Sequence, residues 1–215
     1  GTIVIDNRGG GGGVIGANDV AHSQPDGYSI LLGSTSTHVL VPPAMANPPY
    51  DPVKDFSAVS VFSFSSTSIV VNPSIPVKTL REFIAYAKAN PGKLSYGSAG
   101  DGPITNMAGE LFKVLTGVQA THIPYKSGSL AATDVLGGQI DFYFAGMPVG
   151  LPLSKGGRLR ALAVTSTSRY EGAPELPTMK EAGIKDDELT LWQGVCVPAT
   201  TPAEVANSLE ARVIT

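Results

Sequence analysis

Apolar positions along this chain fall into short runs of two periods, and the two periods alternate between glycine- and proline-rich breaks. Residues 2–5 (TIVI) predict a strand. A glycine run over 9–13 follows, and then Val14, Ile15, Ala17, Val20 and Ala21 at helical spacing. Residues 28–32 predict a second strand after the turn at Pro25-Asp26-Gly27. Proline makes 41–56 irregular, with a short helical piece, and 58–62 and 68–71 predict two further strands. Thr79 is a good N-cap for a helix over 80–89, which Asn90-Pro91-Gly92 ends. Residues 94–96 predict a strand and 97–102 a turn, and Pro103 suits the first position of the next helix. In that helix Ile104, Met107, Ala108, Leu111, Phe112 and Leu115 share one face. The remaining strands are expected at 120–123, 140–144, 160–164 and 191–197. The remaining helices are expected from Ser129 to about Leu136, over 149–154, over 178–182 closed by Gly183, and over 203–213. Strands and helices in alternation specify an α/β fold.

Three of the strands, ending near Leu32, Ser98 and Phe144, run into small polar or glycine-rich turns. Such turns gather at the carboxyl edge of an open sheet, where ligands bind. The segment over 94–107 (LSYGSAGDGPITNM) is the clearest example. Its helix start offers unpaired N–H groups and the positive end of a macrodipole, and its glycines allow close approach to the backbone. The local chemistry suits a carboxylate or phosphate, and it equally suits an ordinary strand-to-helix turn. Ser127-Gly128-Ser129 repeats the pattern, with simple capping by Ser129 as the alternative.

Composition narrows the function classes. A net charge of −3 without a basic block argues against nucleic-acid binding. No apolar run reaches the ~18–20 residues of a membrane span. The single cysteine, Cys196, excludes an internal disulfide framework. The N-terminal residues have no basic segment followed by an apolar one, so an export signal, if used, lies outside this chain. His22, His38 and His122 are too far apart in sequence for a metal site, and no cofactor is expected. The glycine run at 9–13 resembles a dinucleotide loop, but no acidic residue follows at the end of the next strand. A serine hydrolase is the enzymatic alternative, with Ser98 in a strand–turn–helix. That motif needs glycine at position 96, where Tyr96 stands, and His122 comes too early for the usual order. The expectation is a protein that is not an enzyme.

Several phrases carry a resemblance to a known family. They are Asn7-Arg8 with the glycine run, PDGYSILLG over 25–33, YDPVKDF over 50–56 and VVNPSIPVKTLREFIAYAKANPGKLSYGSAG over 70–100. To these are added AGELF over 108–112, HIPYK over 122–126, DVLGGQID over 134–141, LRALAVTS over 159–166 and PELPTMKEAG over 174–183. Their order and coverage resemble the Bug/TctC family of extracytoplasmic solute receptors, the binding proteins of tripartite tricarboxylate transporters. The resemblance implies a two-lobe type II periplasmic-binding-protein fold with a hinge and one carboxylated ligand in the cleft. It implies a periplasmic, monomeric receptor that delivers its solute to membrane transporter subunits, or alternatively a ligand sensor for a membrane sensor kinase. Family members begin with a further strand and helix and continue past Thr215, so a longer natural protein is expected. Lobe 1 is expected at residues 1–95 with a return segment at 198–215, and lobe 2 at 96–197, with hinge strands near Tyr96 and Val197.

With that resemblance the candidate ligand-binding residues are Ser34 and Thr35, then Ser98, Ala99, Gly100, Asp101, Gly102 and Thr105. Ser127, Gly128 and Ser129 of the second turn and Ala145 and Gly146 of the third complete the set. Asp101 and Asn106 stand where many relatives carry Asn and His, and Ala145 where they often carry Asp, so a specific substrate does not carry over. No arginine stands in a candidate loop, and Lys126 is the single cation there. Recognition is therefore expected to rest on backbone N–H groups over 100–105 and 127–129, with the hydroxyls of Ser34, Thr35, Ser98 and Thr105.

Overall fold

A computed structural model describes residues 2–100, 102–185 and 188–213. In chain order the elements are α1 (Val14–Ala21), β1 (Leu31–Ser34), α2 (Val41–Ala44), β2 (Phe56–Val71), α3 (Leu80–Ala89), β3 (Leu94–Ser98) and α4 (Ile104–Thr116). After these come β4 (Ala120–Pro124), α5 (Gly128–Leu136), β5 (Phe142–Gly146), α6 (Met147–Lys155), β6 (Arg160–Val164), β7 (Thr190–Pro198) and α7 (Ala203–Val213). The α/β alternation is as expected from the sequence.

The chain forms two compact units. One takes the chain up to Phe64 and again from Trp192, and the other is Ser65–Leu191. The crossings therefore fall inside β2 and near the start of β7, not near Tyr96 and Val197. The reason is packing. Leu80, Phe83 and Ala87 of α3 are buried against Tyr96, Phe112 and Phe142, so α3 and all of β3 belong to the second unit.

In the second unit the sheet order is β4-β3-β5-β2-β6. β3 is parallel to β4 and to β5, while β2 runs antiparallel to both β5 and β6. Both faces are covered, and the residues show it by strict alternation. Ile69, Val71, Phe142 and Phe144 point to the side of α3 and α4, where they meet Leu80, Phe83, Ala108 and Phe112. Val70, Tyr143 and Ala145 point to the other side and meet Ala131, Ala132 and Val135 of α5. A sheet buried on both faces accommodates such near-continuous apolar runs. In the first unit β1 pairs antiparallel with β7, and Leu31, Cys196, Val14, Ala17, Tyr50 and Phe56 form one core. Val59, Val195 and Val197 pack with Ala206 and Leu209 of α7.

Several local expectations change. Residues 2–5 form no strand; Ile3, Val4 and Ile5 are exposed, and among the described residues the segment pairs with none of the strands. β1 begins at Leu31 rather than 28, because Tyr28 is 93% exposed and lies outside the ladder with β7. The two strands expected over 58–62 and 68–71 are one 16-residue strand. The serines between them keep the alternation going, and neither proline nor glycine breaks it. Residues 178–182 make turns instead of a helix, because Thr178 is held by a parallel bridge to Val164 and Met179 N donates to Val164 O. β5 extends through Ala145 and Gly146, and α6 starts directly at Met147, where a turn was expected. Pro103 is an N-cap with ψ 162°, and helical geometry starts at Ile104.

Candidate functional site

The parallel strands β3, β4 and β5 end at one edge of their sheet, at Ser98, Pro124 and Gly146. Helices α4, α5 and α6 begin from that edge, each after a turn of small residues or directly from the strand. Their N-termini bring backbone N–H groups and positive dipole ends to one side of the unit. Tyr125 N donates to Ser98 O at 3.0 Å and ties the first two turns together.

The β3–α4 turn is held by its own side chains. Gly100 and Gly102 take φ of 112° and 92°, a region that disfavours any side chain. Ala99 N donates to Thr105 Oγ1 at 3.0 Å, Gly100 N to Ser98 Oγ at 3.2 Å and Gly102 N to Asn106 Oδ1 at 3.0 Å. Ser98 Oγ donates to Gly100 O at 2.5 Å. Of the donors expected to face a ligand, Gly100 N, Gly102 N and the Ser98 hydroxyl are thus bonded within the turn. Asp101 lies outside the described residues.

Behind the turn lies a polar network that the sequence did not announce. Register pairs Tyr96 of β3 with His122 of β4, and their rings stack at 4.9 Å. His122 Nε2 is 2.6 Å from Ser98 Oγ. The pair has the look of a nucleophile and its base, but donor balance reverses the roles. Ser98 has one proton, and it points at Gly100 O. With the Ser98 proton on Gly100 O, the 2.6 Å contact is met by His122 donating from Nε2, an assignment made from the surrounding network. Asn106 Nδ2 lies 3.5 Å from His122 Nδ1 and 3.2 Å from the Tyr96 hydroxyl. That hydroxyl donates to Glu110 at 2.6 Å, and Lys113 reaches both Glu110 oxygens at 2.9 Å. Burial pushes the Glu110 carboxyl up, but the hydrogen bonds from Tyr96 and Lys113 outweigh it and leave it below the ordinary value.

At the second turn Ser127 is the N-cap of α5 and makes no side-chain capping bond, so Ser129 is a residue of the first helical turn and not its cap. Ser127 and Ser129 are exposed, and Gly128 faces Tyr143, whose hydroxyl would lie 2.4 Å from any added Cβ. Burial pushes the Tyr143 hydroxyl up to about 12, so it is neutral there at physiological pH. Tyr125 likewise is pushed up to about 12, by burial and then by its bond to Asp134 at 2.7 Å. At the third turn Gly146 caps α6 while Ala145 points into the core. Ser66 and Ser68 of β2 lie at the same edge, Ser68 opposite Ala145, and both hydroxyls are buried without a hydrogen-bond partner among the described residues. The only sequence trace of these serines is their alternation in FSFSSTS.

The candidates of the first unit are described separately. Ser34 N donates to Thr37 Oγ1 at 2.9 Å, and Thr35 Oγ1 accepts from Trp192 N at 2.9 Å. Both serve the turn after β1. His38 sits between Phe56 and Trp192, with ring centroids at 5.0 and 5.6 Å, and its Nε2 is buried without a partner. Burial lowers its pKa against the opposing effect of Ser34. Arg8 is engaged by Asp6 and Asp19 at 2.7 Å each, and Arg160 by Val77 O at 2.5 Å.

The family model of the tripartite tricarboxylate transporter family receptor matches residues 1–214. The chain belongs to that family. Solved structures agree with this receptor family in fold. A Rhodopseudomonas palustris protein with adipate is 35% identical and superposes with a TM-score of 0.94 over 98% of this chain and 70% of that one. The periplasmic binding protein BugD is 34% identical, with a TM-score of 0.93 over 98% of this chain and 70% of its own. MatC from Rhodopseudomonas palustris with bound malate is 27% identical, with a TM-score of 0.89 over 95% and 70%. The chain spans 60%, 63% and 65% of the length of three curated relatives of the receptor family that it matches.

Proposed function

We propose that the protein is a non-catalytic receptor outside the cytoplasm that takes up a small carboxylate and delivers it to a tripartite transporter in the membrane. The observation that carries this reading is the convergence of α4, α5 and α6 on one sheet edge, where the turns hold glycine and serine and Lys126 is the sole cation. Three helix N-termini supply a positive field that draws in an anion without a fixed cation to pair with it. The adipate and malate bound by relatives are carboxylates of the size expected here. Gly100 N, Gly102 N and the Ser98 hydroxyl are satisfied within the β3–α4 turn, so the start of α5 at Ser127, Gly128 and Ser129, with both serines exposed, makes the principal contact. The β3–α4 turn forms the preformed wall beside it.

A hydrolase reading draws on the short Ser98–His122 contact, and the Ser98 hydroxyl directed at Gly100 O instead of at the imidazole argues against it. A thermal-shift screen of mono-, di- and aromatic carboxylates on the full-length protein tests the receptor reading. Ligand at ~100 Kd stabilises by roughly 2.7 kcal/mol, which a melting curve reveals directly. A screen in which only sugars or cations raise the melting temperature overturns the carboxylate class. Turnover of an acyl ester that disappears in Ser98→Ala overturns the non-catalytic reading.

A further inference from the structure

We propose that His122, a residue outside the ligand turns, is a positioning residue for binding: through Ser98 and Asn106 it braces the β3–α4 turn in its ligand-ready shape. The inference rests on the receptor reading above and names the part of that site which sets its geometry.

The case is one of hydrogen-bond supply. The turn adopts left-handed backbone at both Gly100 and Gly102 and has no strand or helix ladder to hold it there. Among the described residues three side chains tie it; Thr105 Oγ1 bonds Ala99 N, and the other two are Ser98 and Asn106. Ser98 Oγ bonds both the N–H and the carbonyl of Gly100, and Asn106 Oδ1 bonds the N–H of Gly102. Ser98 and Asn106 meet on His122. Its Nε2 lies 2.6 Å from Ser98 Oγ, and the serine proton is directed at Gly100 O, which leaves Nε2–H as the donor in this proposal. Asn106 Nδ2 sits 3.4–3.5 Å from its ring nitrogens.

The ring itself has little room to turn. It stacks on Tyr96, which is fully buried, and its backbone is fixed by the β3–β4 ladder at the Tyr96–His122 pair. Tyr96 is pinned in turn by its bond to Glu110 and its stack on Phe142 at 5.4 Å. The brace therefore runs from the buried centre of the sheet to the turn, and among the described residues His122 reaches both Ser98 and Asn106. Removing the imidazole donor releases Ser98 from its fixed orientation and frees the Gly100 peptide to rotate. Binding then has to restore that order at its own expense.

Three variants of the full-length protein decide it: His122→Phe, which keeps a ring for the Tyr96 stack but no donor, His122→Gln, which returns an N–H, and Ser98→Ala. The readouts are calorimetry with adipate and with malate, and amide hydrogen exchange at Gly100 and Gly102 without ligand, with α7 as internal reference. His122→Phe is expected to weaken binding at least about tenfold, the scale of one unmade buried hydrogen bond, and to speed exchange at both glycines. His122→Gln should recover most of both effects, and Ser98→Ala should reproduce the loss. Unchanged exchange and affinity in His122→Phe overturn the proposal. Failure of His122→Gln to restore what His122→Phe loses also overturns it, since ring packing is then what matters. Should His122→Phe not fold, Ser98→Ala against wild type carries the same comparison. If wild type binds no carboxylate the receptor reading fails, while the exchange rates still decide whether His122 braces the turn.

Discussion

Gly109 shows how tightly the centre of the second unit is built. A methyl group there would lie 2.2 Å from Tyr96 Cε2 and 2.6 Å from its Cζ. Tyr96 cannot step aside, because its hydroxyl is bonded to Glu110 and Asn106 and its ring lies between His122 and Phe142. Glycine inside a helix ordinarily loses about 1 kcal/mol against alanine. Here overpacking outweighs that gain, and Gly109→Ala should destabilise the protein by about 1–3 kcal/mol. Urea unfolding measures this; a midpoint at or above that of wild type contradicts the packing argument. The same scale explains why the site was only partly legible. Ser98, Gly100 and Ser127 stand out in the sequence as turn residues. His122 does not, because its partner Ser98 is 24 residues away and only strand register brings them together.

Among the elements, α3 is the one whose limits follow most directly from local chemistry. Thr79 Oγ1 accepts from Glu82 N at 3.2 Å, and the Glu82 carboxylate accepts from Lys78 N at 2.6 Å. Thr79→Ala should therefore cost about 1 kcal/mol, read as a shift of the urea midpoint at constant slope. Helix α5 has the opposite character: its N-cap Ser127 makes no capping bond, and its first turn packs Gly128 on the Tyr143 hydroxyl. A terminus left uncapped and partly exposed suits a ligand in place of a cap. Lys126→Ala should then weaken carboxylate binding by less than tenfold, about 1.4 kcal/mol. Gly128→Ala, which pushes against Tyr143, should weaken it more. Calorimetry on the two variants compares them, and a larger loss from Lys126→Ala would mean that an ion pair, not the helix start, holds the ligand.

At the scale of the whole molecule, half-buried titratable groups contribute to the response to acid. The folded pKa of His38 lies below its ordinary value, because burial disfavours the charged ring. Between that folded value and the unfolded one near 6.5, the unfolded chain binds the extra proton. Stability is thus complete above about pH 6.5, falls as the pH drops through that value, and levels off below the folded pKa. Glu110, also lowered, adds a second loss below the ordinary carboxylate range, as the pH falls through its folded pKa. The melting temperature should decline from pH 7.5 to 5.5, roughly the window about the unfolded His pKa, and His38→Gln should flatten that part of the curve. An equal slope in the variant would assign the decline to other groups.

The sequence by itself determined the α/β class, the limits of α3 and α7, the family resemblance and the turn residues that draw attention to one sheet edge. These depend on contacts a few residues apart: caps, glycine punctuation and side-chain period. Tertiary structure decided the rest. It joined two expected strands into β2, moved the unit crossings to Phe64–Ser65 and Leu191–Trp192, and left residues 2–5 without a partner strand among the described residues. It also satisfied the donors of the β3–α4 turn internally and turned His122 toward Ser98. The physical reason is common to all of these. A ladder, a buried hydroxyl and an imidazole each need a partner from elsewhere in the chain, and the choice of partner is made by strand register and burial, which no local pattern encodes.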